Sequence, residues 1–142
     1  FANSIHTIDL LPFFGGKIKY VSKFKNSFKE RKGDQFSCIT KFENGAIGTY
    51  ISNWYSPGSW SIKLFGEKVT VEFNPLEKAS WIDSKFRRTK IVADSVDKKY
   101  KPGFYKQMIF FKKLLKEKKL TWPAQSLKEV FNSVSLVRKL SI

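Results

Sequence analysis

The hydrophobic period of this chain changes twice, and that change constrains the fold more than any other feature. Residues 3–14, NSIHTIDLLPFF, set Ile5, Ile8 and Leu11 or Pro12 at helical spacing. From Lys17 to about Val96 the period is two, the mark of strands. From Phe104 onward it returns to helical spacing, first in Phe104, Met108, Phe111 and Leu115, then in Leu127, Val130, Phe131, Val134, Val137 and Leu140. Helix, a run of strands and two helices make an α+β layer: an open, mainly antiparallel sheet with helices on one face.

Local signals sharpen the elements. Asn3 or Ser4 is placed to cap the first helix, Pro12 to kink or end it, and Gly15-Gly16 to close it. Ile18, Tyr20, Ser22 and Phe24 alternate with Lys17, Lys19, Val21 and Lys23, which predicts a strand with one polar face. Asn44-Gly45, between the strands 36–42 and 46–55, is a strong hairpin signal. A two-residue turn there would pair Phe42 with Ile47, Thr40 with Thr49 and Cys38 with Ile51, leaving Ile39 and Tyr50 on the other face. Both faces would then carry apolar side chains and need cover. Strands are also predicted over 60–65, 68–73, 79–82 and 89–92, joined by short connections as an antiparallel meander. The stripe of the helix 104–115 and that of the final helix are predicted to pack against the sheet. Ser126-Leu127-Lys128-Glu129 is a capping box opening the final helix. No second set of helices is available for the far sheet face, so a partner subunit is its natural cover.

A chain of 142 residues is read as a single domain, 1–142, long enough to bury a core without staples. Its 42% hydrophobic and 16% aromatic content excludes disorder. The lone Cys38 falls in a strand pattern and reads as a small core residue. No apolar run is long enough to span a membrane and no signal peptide is visible, which points to a cytoplasmic setting without membrane attachment. The net charge of +15 raises the question of nucleic acid, yet the lysines are scattered and no zinc-finger spacing, basic-helix heptad or stacking signature organises them. A solvated basic surface is the plain reading, and attraction of an anionic ligand such as a sugar nucleotide is the functional one. The sequence opens at Phe1 within a helical pattern, as if partway through a larger protein.

Most reaction chemistry is excluded. Neither G-x-G-x-x-G nor a phosphate-binding P-loop occurs, so the chain by itself lacks the usual means of holding a dinucleotide. One cysteine and one histidine cannot build a common zinc site. No G-x-S-x-G elbow is present for a serine nucleophile. What remains is His6, with Asp9 three residues on and on the same helix face. An imidazole is suited to proton transfer near neutral pH, and a carboxylate nearby could tune it; a plain helix-surface histidine is the alternative.

Three blocks of the sequence are similar to the C-terminal domain of the glucose-fructose oxidoreductase, inositol dehydrogenase and rhizopine-catabolism (Gfo/Idh/MocA) family. The first is Ser4-Ile5-His6-Thr7-Ile8-Asp9-Leu10-Leu11 with Gly15-Gly16, resembling a G-x-H-x-x-D-L-L helix. The second runs from Phe42-Glu43-Asn44-Gly45-Ala46-Ile47-Gly48 through Trp54, Pro57-Gly58 and Phe65-Gly66-Glu67-Lys68. The third is Gly103-Phe104-Tyr105-Lys106-Gln107 through Phe111, then Trp122-Pro123 and the capped helix. The resemblance implies an oxidoreductase using NAD or NADP, acting on a sugar, cyclitol or sugar-nucleotide hydroxyl. The cofactor would be held by an N-terminal nucleotide-binding domain that this chain does not contain, and none is expected on the fragment alone, which is expected to be inactive. The resemblance implies His6 as the catalytic acid/base, Asp9 in a structural role beside it, and a homo-oligomer, dimer or tetramer, formed through the bare sheet face. Asn53, Trp54 and Tyr105 are further candidates for lining the sugar site, with plain packing as the alternative for each. Departures from the pattern are Ala2, where many members carry an aspartate, Ser4 for a glycine, and Val69 for the glycine of the later turn. A basic stand-alone binding module or a noncatalytic scaffold is the rival expectation.

Overall fold

A computed structural model of the chain describes residues 4–29 and 33–141. The elements are α1 (Ile5–Gly15), β1 (Ile18–Asn26), β2 (Gln35–Phe42), β3 (Ile47–Asn53), β4 (Ile62–Phe65), β5 (Val69–Phe73), β6 (Ala79–Asp83), β7 (Arg88–Ile91), α2 (Ser95–Lys99), α3 (Phe104–Glu117) and α4 (Leu127–Ser141). All strand pairs are antiparallel, and the α+β class expected from the sequence is found. The strands divide between two sheets, β1-β2-β3 and β4-β5-β6-β7. The described residues accordingly form two compact units, one with α1, β1–β3 and α4, the other with β4–β7, α2 and α3.

In the first unit Ile5, Ile8 and Leu11 follow one another at helical spacing on α1; Ile8 is fully buried and Leu11 packs beside it on the core. Ser4 stands at the cap position and its carbonyl accepts from Ile8 N at 2.9 Å, while its side chain makes no capping bond. Asn3, the other predicted cap, and Ala2 lie outside the described residues. Pro12 does not end the helix. The chain runs on to Gly15, and the Gly16 amide closes the last turn on the Pro12 carbonyl at 2.9 Å. The core beneath α1 is Ile8, Phe36, Cys38, Leu136 and Leu140, with Leu11, Ile18, Val21, Tyr50 and Val137 packed around it. Burial pushes the Cys38 thiol above its ordinary pKa, so it stays a neutral core group.

The hairpin register differs from the predicted one by a single residue. Phe42 N donates to Ala46 O at 2.9 Å and Gly45 N to Phe42 O at 3.1 Å, closing a three-residue loop of Glu43, Asn44 and Gly45. Gly45 has φ 91°, the left-handed conformation that a loop of this kind needs at its last position. Lys41 therefore pairs with Ile47, Thr40 with Gly48 and Cys38 with Tyr50. A one-residue slip exchanges the faces of a strand. Tyr50 thus joins the core, while Ile47 and Ile51, predicted to share a face with Cys38 and Phe42, stand 71% and 67% exposed. A bulge between Ile18 and Tyr20 shifts the phase of β1 in the same way. Ile18 and Val21 both pack on the core, and Tyr20 and Phe24 face out with Ile39. Helices pack on one face of this sheet, and among the described residues Tyr20, Phe24, Ile39, Ile47 and Ile51 stand exposed on the other.

The second unit is a four-stranded meander. On one face Glu72 lies between Lys63 Nζ at 2.7 Å and Arg88 Nη1 at 2.5 Å, and Arg88 also donates to Ser80 Oγ at 2.8 Å. The short α2, which no periodicity in the residues announces, supplies Asp97, whose Oδ1 accepts from Gly103 N at 2.9 Å just before α3. Lys106 of α3 pairs with Asp94.

The helical stripes depart from the prediction, throughout α3 and in the first half of α4. On α3 the stripe Phe104, Met108, Phe111 and Leu115 is more than half exposed, and the least exposed apolar positions are Phe110 and Leu114, about a quarter turn away. On α4 the predicted stripe holds in its second half, where Leu140 is buried and Val137 packs on the core; the buried row continues through Leu136 and Ser133, so Leu127, Val130, Phe131 and Val134 stand exposed. Each helix carries two apolar rows, and the periodicity alone could not decide between them.

Candidate functional site

The helix that carries His6 and Asp9 is α1, and the structure fixes it from two sides. Ile8 is driven into the core against the sheet and α4. One position further, the Asp9 carboxylate is held by α4 and the residue leading into it: Oδ2 accepts from Gln125 Nε2 at 3.0 Å, and Oδ1 accepts from the Ser133 hydroxyl. Ser133 is itself buried, in the same row as Leu136 and Leu140. The start of α4 is set by the predicted capping box. Ser126 N and Oγ both donate to Glu129 Oε2 at 2.7 Å, and Glu129 N donates back to Ser126 Oγ at 3.3 Å. Those donors hold the Glu129 carboxyl below its ordinary pKa.

His6 occupies the outer side of this anchored helix and is exposed. Three residues separate it from Asp9, but both oxygens of that carboxylate are engaged by Gln125 and Ser133. Asp9 is thus a tie between helices rather than a free acceptor beside the imidazole. Phe13 and Phe14 extend the exposed side of α1, their rings edge to face at 4.9 Å.

Asn53 ends β3 opposite Gln35 and is exposed. Trp54 follows it; its backbone N–H donates to Asp34 O at 3.0 Å and its indole is exposed. Asp34 is buried, and its carboxylate oxygens accept from Phe28 N and Lys29 N, each at 2.7 Å, which ties the residues after β1 to the start of β2. His6, Asp9, Asn53 and Trp54 belong to the first unit. Tyr105 belongs to the second, on α3, where its ring stacks on Tyr100 at 5.4 Å.

Gln125 and Ser133 do not stand out in the sequence patterns. Ser133 does carry a signal: it lies three and seven residues before Leu136 and Leu140, and a small polar residue in a buried row calls for a partner. Gln125 carries none.

All strand pairs of the described residues are antiparallel, and no strand among them runs through a glycine-rich turn into a helix, the arrangement that receives a pyrophosphate. Among the described residues no group of three His, Cys, Asp or Glu side chains could hold a metal ion, and no helix is long and apolar enough to cross a membrane.

Residues 1–72 match the family model of the GFO/IDH/MocA C-terminal domain. Solved structures share the fold. The UDP-N-acetylglucosamine 3-dehydrogenase of Acidithiobacillus ferrooxidans is 12% identical with a TM-score of 0.75, over 96% of this chain and 44% of its own. Levoglucosan dehydrogenase in complex with NADH is 15% identical with a TM-score of 0.72, over 97% of this chain and 47% of its own. The WlbA dehydrogenase of Bordetella pertussis, in complex with NADH and UDP-GlcNAcA, is 17% identical with a TM-score of 0.66, over 97% of this chain and 43% of its own. The chain spans less than half the length of each of these proteins. No curated protein matches the sequence. With the histidine helix, the hairpin and the antiparallel strands all inside or beside the matched half, the chain belongs to the GFO/IDH/MocA family, through its C-terminal domain.

Proposed function

We propose that this chain is the substrate-facing and oligomer-forming half of an NAD- or NADP-dependent oxidoreductase acting on a hydroxyl of a sugar, cyclitol or sugar nucleotide. The observation that carries the reading is the family's histidine motif lying on α1, with His6 outward and Ile8 and Asp9 locked to the layer behind it. His6 is the group that handles the proton of the reacting hydroxyl, as base in oxidation and as acid in the reverse direction. Asn53 and Trp54, in the same unit as His6, line the substrate, the indole offering a stacking face for a pyranose. The nicotinamide cofactor is held by residues outside this chain.

The substrate class rests on the similar proteins, which include the UDP-N-acetylglucosamine 3-dehydrogenase, levoglucosan dehydrogenase, and an inositol dehydrogenase homologue solved with NADH and myo-inositol. The net charge of +15 suits an anionic sugar nucleotide. A second copy covers the bare face of β1–β3, where Tyr20, Phe24, Ile39, Ile47 and Ile51 are exposed together. A cytoplasmic setting suits the buried free thiol of Cys38.

The test is a turnover assay on the protein that carries this chain, following nicotinamide reduction with UDP-N-acetylglucosamine, levoglucosan and myo-inositol, each with NAD and with NADP. Reduction with at least one pair is the expected result. A protein that binds neither NADH nor NADPH would end the reading. The second reading, a basic stand-alone binding module, is favoured by the charge alone; DNA retention that persists at physiological salt would support it.

A further inference from the structure

We propose that Ser133 of α4 and Gln125 just before it are positioning residues for His6, acting through Asp9; the inference rests on the reading of His6 as the proton-handling group. The hydroxyl of Ser133 and the amide of Gln125 take one oxygen each of the Asp9 carboxylate. A helix packed only by apolar contacts at Ile8 could still turn about its own axis. The two polar bonds lie beside that contact, one residue along, and remove the rotation. His6 is three residues from Asp9 on the same rigid helix, so a rotation fixed at Asp9 also fixes the direction of the imidazole. The arrangement is built and not incidental. Ser133 is buried, and Gln125 directly precedes the capping-box residue Ser126, whose bonds with Glu129 fix where α4 begins. The cost of losing this geometry falls on the reaction more than on binding, because proton transfer needs the imidazole within hydrogen-bond reach of the hydroxyl.

The experiment compares Ser133→Ala, Ser133→Thr and Gln125→Ala in the protein that carries this chain, with His6→Ala as reference. His6 is the single histidine of this sequence, and in an NMR spectrum of the histidine-labelled protein its ring signals are those that His6→Ala removes. Ser133→Ala and Gln125→Ala are expected to lower kcat by about tenfold or more, with KM within about twofold, since a small misplacement from a remote change is enough to slow the chemical step. Their His6 ring signals should shift or split in the folded protein. Ser133→Thr, which keeps the hydroxyl, should restore both. If His6→Ala abolishes turnover while the Ser133 and Gln125 variants keep full kcat and an unmoved ring signal, the positioning role is overturned and the reading of His6 stands. If His6→Ala keeps full turnover, that reading fails, whatever the other variants do. Should none of the trial substrates turn over, the ring signal alone decides: an unmoved signal in Ser133→Ala overturns the proposal.

Discussion

The ring of Phe42 fills the space that a side chain on Gly15 would need: a β-carbon built at Gly15 would lie 2.2 Å from Phe42 Cζ. Phe42 is buried, and the same ring lies 3.0 Å from a β-carbon built at Gly48. The end of α1 and the β2–β3 hairpin are therefore fitted to one another through a single aromatic ring. Gly15→Ala is expected to destabilise the fold by about 1–3 kcal/mol through overpacking. Phe42→Leu in the same chain should return part of that loss, because the two changes share one space. Urea unfolding of the two single variants and the double variant measures the coupling; additive losses would contradict the fit.

Gly45 tests the hairpin register. At φ 91° it adopts a conformation that costs other residues about 1–2 kcal/mol. Gly45→Ala should lower the unfolding free energy by about that amount. A neutral result would contradict the left-handed conformation at this position.

Acid should weaken the fold in a defined direction. Glu72 is held low by hydrogen bonds from Lys63 and Arg88, Asp83 by Arg87, Asp94 by Lys106 and Glu129 by Ser126. A carboxyl whose pKa is lowered on folding stabilises the native state above its unfolded value, 4.5 for these glutamates and 3.8 for these aspartates, and that contribution is lost as pH falls through the folded value. The urea midpoint should hold between neutrality and mild acid, then fall through the carboxylate range. Glu72→Gln and Glu129→Gln should each flatten that fall. Lys17 and Lys106 are raised by Glu43 and Asp94, so their contribution is complete below the ordinary lysine value of 10.5 and fades as pH rises above it.

The bare face of β1–β3 gives a prediction about assembly. A lysine on a surface that a second copy covers puts an unpaired charge in a dry interface. Ile47→Lys or Ile51→Lys should shift the sedimentation mass to the monomer without loss of circular dichroism, while Glu67→Ala, an exposed change on the β4–β5 connection, should leave the mass alone. Unchanged oligomers in both isoleucine variants would remove the second copy from that face.

Much of this molecule is legible in its residues, and the misses share a cause. Period-two and period-3.6 patterns locate the strands and the three longer helices within a few residues, because alternation and one-sidedness are properties of the backbone itself. The facing of β3 is not legible, since it depends on one residue in the loop after Phe42: the Asn44-Gly45 pair marks a hairpin equally well with two loop residues or three. The bulge at β1 is hidden for the same reason. On α3 and α4 two apolar rows compete, and on α4, beside the predicted Leu140, only the tertiary neighbours choose Leu136 over Leu127 and Phe131. Of the candidate site, His6 and Asp9 are visible as a spacing on one helix. Their separation into an outward imidazole and an inward tie depends on Ser133 and Gln125, more than a hundred residues away in sequence.

The most direct measurement is the turnover of His6→Ala in the protein that carries this chain, read as nicotinamide reduction on a substrate the unaltered protein accepts. General acid–base catalysis contributes about 10²–10⁴-fold, so kcat should fall by at least about a hundredfold with cofactor binding intact. A variant that turns over at the unaltered rate would contradict the assignment of the proton to His6, and with it the central role of α1.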